Sequence, residues 1–225
     1  MKRQWIDDGM IEVGLDEAGR GSLWGRLYVG AVIMSPDDDA YFDNGVMLKQ
    51  ITDSKKLTRR KRAVLADFIR ENAIEAVVEW SEPEEIDRLN ILQADMAAMH
   101  RALSKMETPF QRILVDGDYW TQWGDTEALT IVEGDAVSLP IAAASIMAKE
   151  AHDAWVREMV AADPTLGERY GFDSNMGYGT AAHLAGLRDW GAHTLHRRSF
   201  APVKRVVPPS EARAPQKGPL FRSKT

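Results

Sequence analysis

The sequence predicts an α/β protein, on three observations. Short apolar runs of strand character recur at five places. Stretches with helical periodicity separate most of them. Three of the runs end in an acid with a glycine close behind it, which points to function as well as to fold.

The first run, Met10-Ile11-Glu12-Val13, leads into Gly14-Leu15-Asp16-Glu17-Ala18-Gly19-Arg20-Gly21. Ile11, Val13 and Leu15 share one face by the two-residue period. Asp16 falls on the other face, at the end of a strand expected inside the sheet, where a carboxylate is costly unless something positive meets it. A regular strand would send Glu17 away from Asp16. The expectation is that Gly19, Gly21 and Gly25 bend the backbone and bring both acids to one point. The alternative is a solvated acidic turn. A dinucleotide loop is excluded, because Trp24 stands where the third glycine belongs and Leu27–Met34 is a second strand. No helix N-terminus is left to hold a pyrophosphate, and the two acids would repel one.

Asp37-Asp38-Asp39 reads as a polar turn. After Asp53-Ser54-Lys55-Lys56-Leu57, Thr58 is a candidate N-cap for a helix with Val64, Leu65, Phe68 and Ile69 as its apolar stripe. Lys55, Lys56, Arg59, Arg60, Lys61 and Arg62 crowd its start, where the helix dipole disfavours cations. The run is a solvated face or a phosphate-facing patch, and its unfavourable placement favours the patch. Ile74–Trp80 is a third strand. Helix follows to about Met106, in two pieces, with Ile91, Ala94, Ala98 and Ala102 along one side.

Arg112–Gly117 repeats the opening device, an apolar strand ending in Asp116 and Gly117. Ala128–Val132 is a fifth strand running into Glu133-Gly134-Asp135. Acids at the ends of different strands can converge, and converging carboxylates call for divalent cations. Residues 136 to about 162 read as one helix with Pro140 in its first turn. Ala142, Ala143 and Ala144 suit close packing on the sheet. Ser145, Lys149 and Asp153 share a face, so Lys149 either pairs with Asp153 or meets phosphate. Asn175–Thr180 is a glycine turn presenting Tyr178, and a short helix spans 181–190. His183, His193 and His196 lack zinc-site spacing and thiolate partners. From Arg205 four prolines and five cations against one glutamate predict a disordered basic tail.

With 225 residues, 44% hydrophobic content, no cysteine and a net charge of −6, the chain has material for a sizeable core and no thiolate metal site. Its start lacks the apolar core of a signal peptide, and no stretch suits a membrane span. A cytoplasmic protein is expected. Net acidity argues mildly against a nucleic-acid partner, unless acids are gathered for metals and bases elsewhere.

Gly14–Gly21 resembles the signature of ribonuclease HII. So do Asp53–Leu57, Val115-Asp116-Gly117, Gly134-Asp135, Ala143–Lys149, Gly177-Tyr178-Gly179-Thr180 and His196-Arg197-Arg198-Ser199-Phe200, in the family's order. The resemblance implies an RNase H-like mixed sheet flanked by helices over residues 10–163. It implies a C-terminal helical extension over 164–204 that completes the substrate site, with 205–225 as tail. The implied activity is metal-dependent cleavage of RNA in RNA–DNA hybrids and 5′ of single ribonucleotides in duplex DNA. Two Mn²⁺ or Mg²⁺ ions would serve it, leaving 5′-phosphate and 3′-hydroxyl ends. Matched by motif, Asp16, Glu17, Asp116 and Asp135 are the metal-binding catalytic acids. Gly19, Arg20 and Gly21 match the loop that contacts the ribose 2′-hydroxyl. Tyr178 matches the tyrosine that stacks at the RNA–DNA junction, and Lys55, Ser145 and Lys149 match phosphate contacts. The expected partners are hybrid and ribonucleotide-containing duplexes, with the enzyme a monomer. Ser22, Trp24 and Arg26 depart from the family's loop, and His152 from its usual arginine. The rivals are a junction resolvase or transposase-type nuclease, which has no 2′-hydroxyl loop, and a catalytically silent nucleic-acid binder.

Overall fold

The expected mixed sheet is present in the computed structural model, which describes residues 1–41 and 45–206. Its strands are β1 (Glu12–Ala18), β2 (Leu27–Ile33), β3 (Glu75–Ser81), β4 (Arg112–Asp116) and β5 (Glu127–Ile131), in the order β3-β2-β1-β4-β5. β1 pairs antiparallel with β2, and β2 with β3. β1 with β4 and β4 with β5 run parallel. The helices are α1 (Arg59–Asn72), α2 (Pro83–Leu89), α3 (Ile91–Lys105), α4 (Gly134–Val137), α5 (Leu139–Ala162), α6 (Thr165–Tyr170), α7 (Phe172–Asn175), α8 (Ala181–Trp190) and α9 (Ala201–Lys204).

β1 is central and is buried along almost all of its length, the acids Glu12 and Asp16 included. Val13 and Leu15 pack with Ala98, Met99 and Ala102 of α3 on one side. On the other side α5 lies almost against bare backbone. A Cβ on Gly14 would stand 2.2 Å from the Pro140 carbonyl carbon, and one on Gly30 would stand 2.4 Å from the Ala144 carbonyl oxygen. Only glycine permits that approach, and Ala142, Ala143 and Ala144 supply its small-residue counterpart. α1 packs beside α5 through Leu65, Phe68 and Ile69. Thr58 caps α1 as expected, its hydroxyl accepting from the Lys61 amide at 3.3 Å. Asn90, at φ 70°, separates α2 from α3 and caps the latter.

Several expectations need correction. β1 keeps its pairing to Ala18, opposite Tyr28, so the glycines follow the acids rather than bending the strand between them. Ile11 precedes the strand and is exposed, and so is Val64, which lies off the buried stripe of α1. β5 ends at Ile131 and leaves Val132 in solvent. The helix expected from 136 is two, because Ser138 turns extended between α4 and α5. Of the expected tail only Arg205 and Val206 fall within the described residues.

The residues after 163 pack back on the sheet unit through aromatic contacts. Trp24 is fully buried among Val156, Leu166, Tyr170 and Phe172. Backbone bridges join Ser22 to Tyr178 and Trp24 to His196. Among the described residues no helix is long and apolar enough to cross a membrane.

Candidate active site

Asp16 and Asp116 meet because β1 and β4 are parallel and in register. Leu15 lies opposite Val115, so the next residue of each strand is an acid at the same end of the sheet. Asp16 shares the α5 side with Gly14 and takes a hydrogen bond from Ser145 of α5. Its Oδ1 also accepts from the Glu17 amide at 2.6 Å. By alternation Glu17 belongs to the α3 side, with Val13 and Leu15, and its carboxylate reaches round the strand end. Single oxygens of Asp16, Glu17 and Asp116 lie within 4.8 Å of one another. Asp116 Oδ1 accepts from the Gly134 amide at 2.7 Å, which ties β4 to α4.

Burial, with the charges of Glu17 and Asp116, pushes the Asp16 carboxyl well above the ordinary range. A divalent cation relieves that repulsion, and a donor set made of carboxylate oxygens suits Mg²⁺ or Mn²⁺. Asp135 is corrected in position. It lies in α4 rather than at a strand end, and it falls outside the tight group of three. Burial, Asp53 and Asp116 raise it to about 6, with Lys55 opposing them. It is the flank of the acidic centre, joined there by Asp53, which sequence reasoning passed over as motif context.

One cavity of about 420 Å³ gathers nearly all the expected residues: Asp16, Glu17, Gly19, Arg20, Gly21, Lys55, Asp116, Ser145, Lys149 and Tyr178, with Ala18 and Ser54. Lys55 is exposed at its rim. Burial works against its charge, but Asp135, Asp16, Asp53 and Asp116 outweigh that and hold its ammonium above the usual value. Ser145 is buried and meets the Ser54 hydroxyl at 2.9 Å, so it is first a strut between α5 and the Asp53 turn. Lys149 pairs with Asp153, as one of its two expected roles requires, and also lines the cavity. Its Nζ donates to Asp153 at 2.7 Å and stands 5.2 Å from the Tyr178 ring centroid. Tyr178 is half-buried on the cavity wall, and its hydroxyl accepts from the Gly19 amide at 3.2 Å.

Of the basic run, Arg62 does not face phosphate. It is buried, with Nη2 2.8 Å from Asp153 and Nε 3.3 Å from Glu150. Arg59, Arg60 and Lys61 remain in solvent. Arg20 Nη1 lies 3.6 Å from Glu17 and 3.8 Å from Asp95. Asp95, on α3, was missed: it is 1% exposed and neither carboxylate oxygen has a hydrogen-bond partner. Burial first, then Glu17, pushes its carboxyl well up, against the pull of Arg20. A polar residue beside the Ala94-Ala98-Ala102 stripe was the available signal.

The departures in the loop have structural accounts. Trp24 donates from Nε1 to His193 Nδ1 at 3.0 Å. The Arg26 guanidinium stands 4.8 Å from the Trp80 ring and 5.0 Å from the Trp155 ring, and pairs with Glu82 at 2.7 Å. His152 lies beneath the loop, where a Cβ on Gly19 would come within 2.6 Å of its ring. His183 and His196 meet through their Nε2 atoms at 2.9 Å in the aromatic core.

A mixed β3-β2-β1-β4-β5 sheet carrying a buried acid at the end of β1 and a half-buried one at the matching end of β4 defines an RNase H-like, metal-dependent nuclease. The comparisons sharpen that class. The family model for Ribonuclease HII matches residues 13–203. The ribonuclease HII of Dechloromonas aromatica (strain RCB) is 45% identical over 194 residues, covering 86% of this chain and 92% of that protein. That of Laribacter hongkongensis (strain HLHK9) is 46% identical over 195 residues, covering 86% and 92%. Among solved structures, the ribonuclease H2 of Pyrococcus horikoshii OT3 superposes with a TM-score of 0.65 at 25% identity, over 87% of this chain and 96% of that one. The chain belongs to the ribonuclease HII family, and it is a metal-dependent ribonuclease H.

Proposed function

We propose that the protein cleaves the RNA strand of RNA–DNA hybrids and cuts on the 5′ side of single ribonucleotides in duplex DNA, leaving 5′-phosphate and 3′-hydroxyl ends. The observation that carries this reading is the shared cavity. It sets the acids of β1 and β4 a few residues from a glycine turn and opposite Tyr178.

Asp16, Glu17 and Asp116, with Asp135 at the flank, are the residues that would hold two Mg²⁺ or Mn²⁺ ions. When bound, such ions supply activation of the attacking water and charge stabilisation at the departing oxygen. The chain's own groups do the rest. Ser145 and the Glu17 amide hold Asp16 in orientation. Gly134 does the same for Asp116. Lys55 and Lys149 bring positive charge to the phosphates on either side of the bond. Gly19, Arg20 and Gly21 receive the 2′-hydroxyl, the group that separates RNA from DNA. Tyr178 offers its ring to the sugar at the junction.

In this reading residues 10–163 carry hydrolysis, 164–204 complete the substrate site, and the basic 205–225 segment adds non-specific attraction to duplex. The enzyme works as a cytoplasmic monomer. The test is cleavage of matched duplexes holding zero, one or four consecutive ribonucleotides, with Mg²⁺ or Mn²⁺, and mapping of the cuts. Cuts 5′ of the lone ribonucleotide and none in all-DNA duplex are expected. Equal cutting of all-DNA duplex would overturn the reading in favour of a ribose-blind nuclease.

A further inference from the structure

Arg197 is buried at 0% exposure in the His196–Phe200 motif, and the roles assigned so far leave it without one. Its Nε donates to the Gly25 carbonyl at 2.9 Å. Its Nη1 donates to the carbonyls of Gly19 at 2.7 Å and Arg20 at 3.2 Å. Its own amide donates to the Leu23 carbonyl at 2.9 Å. Nη2 has no partner. Every bond from this cation goes to a backbone carbonyl, and among the described residues no carboxylate pairs with it. The nearby Asp87 is spent on the amides of Arg198 and Ser199.

A buried guanidinium without a counter-ion is a costly brace. Burial lowers it to about 9. What it achieves follows from peptide geometry. In a planar trans peptide the carbonyl of one residue and the N–H of the next point opposite ways. Drawing the Gly19 carbonyl inward turns the Arg20 N–H outward. Drawing in the Arg20 carbonyl does the same for the Gly21 N–H. The turn is closed by the Ser22 amide on Gly19 at 3.1 Å and tied to Tyr178 through the Gly19 amide. Gly19, Arg20 and Gly21 all line the cavity that holds the acids.

We infer that Arg197 is the positioning residue of the Gly19–Gly21 turn: by holding two carbonyls inward it aims the Arg20 and Gly21 amides at the ribonucleotide's 2′-oxygen and adjoining phosphate. This rests on the reading of that turn as the ribonucleotide sensor. The uncompensated charge of Arg197 acts in the same direction, since an anion entering the cavity supplies the counter-charge that the protein withholds.

The variants are Arg197→Lys, which keeps the charge but cannot span the Gly19 and Gly25 carbonyls together, and Arg197→Gln, which removes the charge. For the Mn²⁺-loaded protein, kcat and KM are measured on a duplex with one ribonucleotide. The Mn²⁺ half-saturation, the melting temperature and the amide chemical shifts of Arg20 and Gly21 are measured alongside. The expected kcat order is wild type, then Lys, then Gln. The Gln variant loses on the order of 10²-fold, the scale of a displaced positioning group. Half-saturation stays within about twofold, because the acids sit on other elements, while the two amide shifts move. Lower melting with unchanged kcat in the folded fraction would reduce Arg197 to a structural brace. A kcat loss that excess Mn²⁺ restores would place its action on the acids; either result overturns the inference. If the Gln variant does not fold, the Lys variant decides on the same criteria. A wild type that cuts the matched all-DNA duplex equally would defeat the reading of the turn. The placement of Arg197 would then stand or fall on the amide shifts alone.

Discussion

Replacing Asp16 with Asn separates the site's cost to the fold from its use in chemistry. Asn keeps the Oδ1 that accepts from the Glu17 amide, so the main change is the loss of one ionisable carboxyl. Like charges within 4.8 Å of one another repel by roughly 3 kcal/mol at an effective dielectric of 20, and solvent in an open cavity reduces this to about 1–2 kcal/mol. In a chain of this size that is a rise of about 2–8 °C in the melting temperature of the metal-free protein. The sign with pH follows from the raised Asp16 carboxyl. The folded wild type retains a proton that the unfolded chain has released, so its stability falls as pH rises through the raised value. The Asn variant escapes that loss, and its advantage is larger at pH 8 than at pH 5. With Mn²⁺ at 100 times its dissociation constant the wild type gains about 2.7 kcal/mol, and the variant most of a cation site less. Thermal melting with EDTA and with Mn²⁺, at both pH values, alongside cleavage, checks all of this. An Asn variant that melts below wild type in EDTA, yet keeps its Mn²⁺ shift and its turnover, would refute the reasoning.

Two further outcomes follow from particular side chains. Tyr178→Ala should lower kcat/KM on a single-ribonucleotide duplex by about 5- to 150-fold, the worth of 1–3 kcal/mol of stacking, while Tyr178→Phe keeps the ring and most of the activity. A large melting loss with cleavage intact would instead make the ring structural. Burial, then His183, pulls His196 down to about 3, and burial also lowers His183 and His152. Lowered histidines leave the fold fully supported above about pH 6.5 and weaken it as pH falls below that value. The urea midpoint should therefore drop between pH 6.5 and 4.5, and drop less in His196→Gln. Identical slopes would contradict the burial argument.

The five strands and the main helices were legible because period-two and period-3.6 patterns survive in elements with a defined buried face. Asp16 and Asp116 were legible for a stronger reason: a charged residue ending an apolar run is conspicuous. Their adjacency was not, since it depends on the parallel register of β1 with β4, which no local pattern encodes. Asp135 shows the same gap. Its motif was visible, but the left-handed Glu133, at φ 54°, turns the chain into α4 before the acid. Arg62 stood in a run of cations and looked like its neighbours, yet the helical period places it on the buried stripe with Leu65 and Ile69. Gly14 and Gly30 gave no signal of their tight contact, because that contact is set by a helix more than a hundred residues later.

The order of the chain also divides the labour of the site. Asp16, Glu17 and Asp116 come from strand ends of the sheet, fixed by a register that does not involve residues after 163. The glycine turn is different. Its tether at the Gly19 amide is Tyr178 and its tether at the Gly19 and Arg20 carbonyls is Arg197, both from the last part of the chain. In the proposed reading, hydrolytic capacity and ribonucleotide recognition are therefore built by separate segments that meet at one turn. Two buried polar groups with unused hydrogen-bonding capacity stand at that meeting point, the Asp95 carboxyl, which burial pushes well up, and the Arg197 guanidinium. Neither is what packing alone would select, since burying an unsatisfied polar group costs more than burying an apolar side chain of the same size. They flank the same turn, with the Arg20 side chain drawn toward Glu17 and Asp95 and the turn's carbonyls drawn toward Arg197. In the proposed reading, that turn is where a ribonucleotide's phosphate and its 2′-hydroxyl are received together.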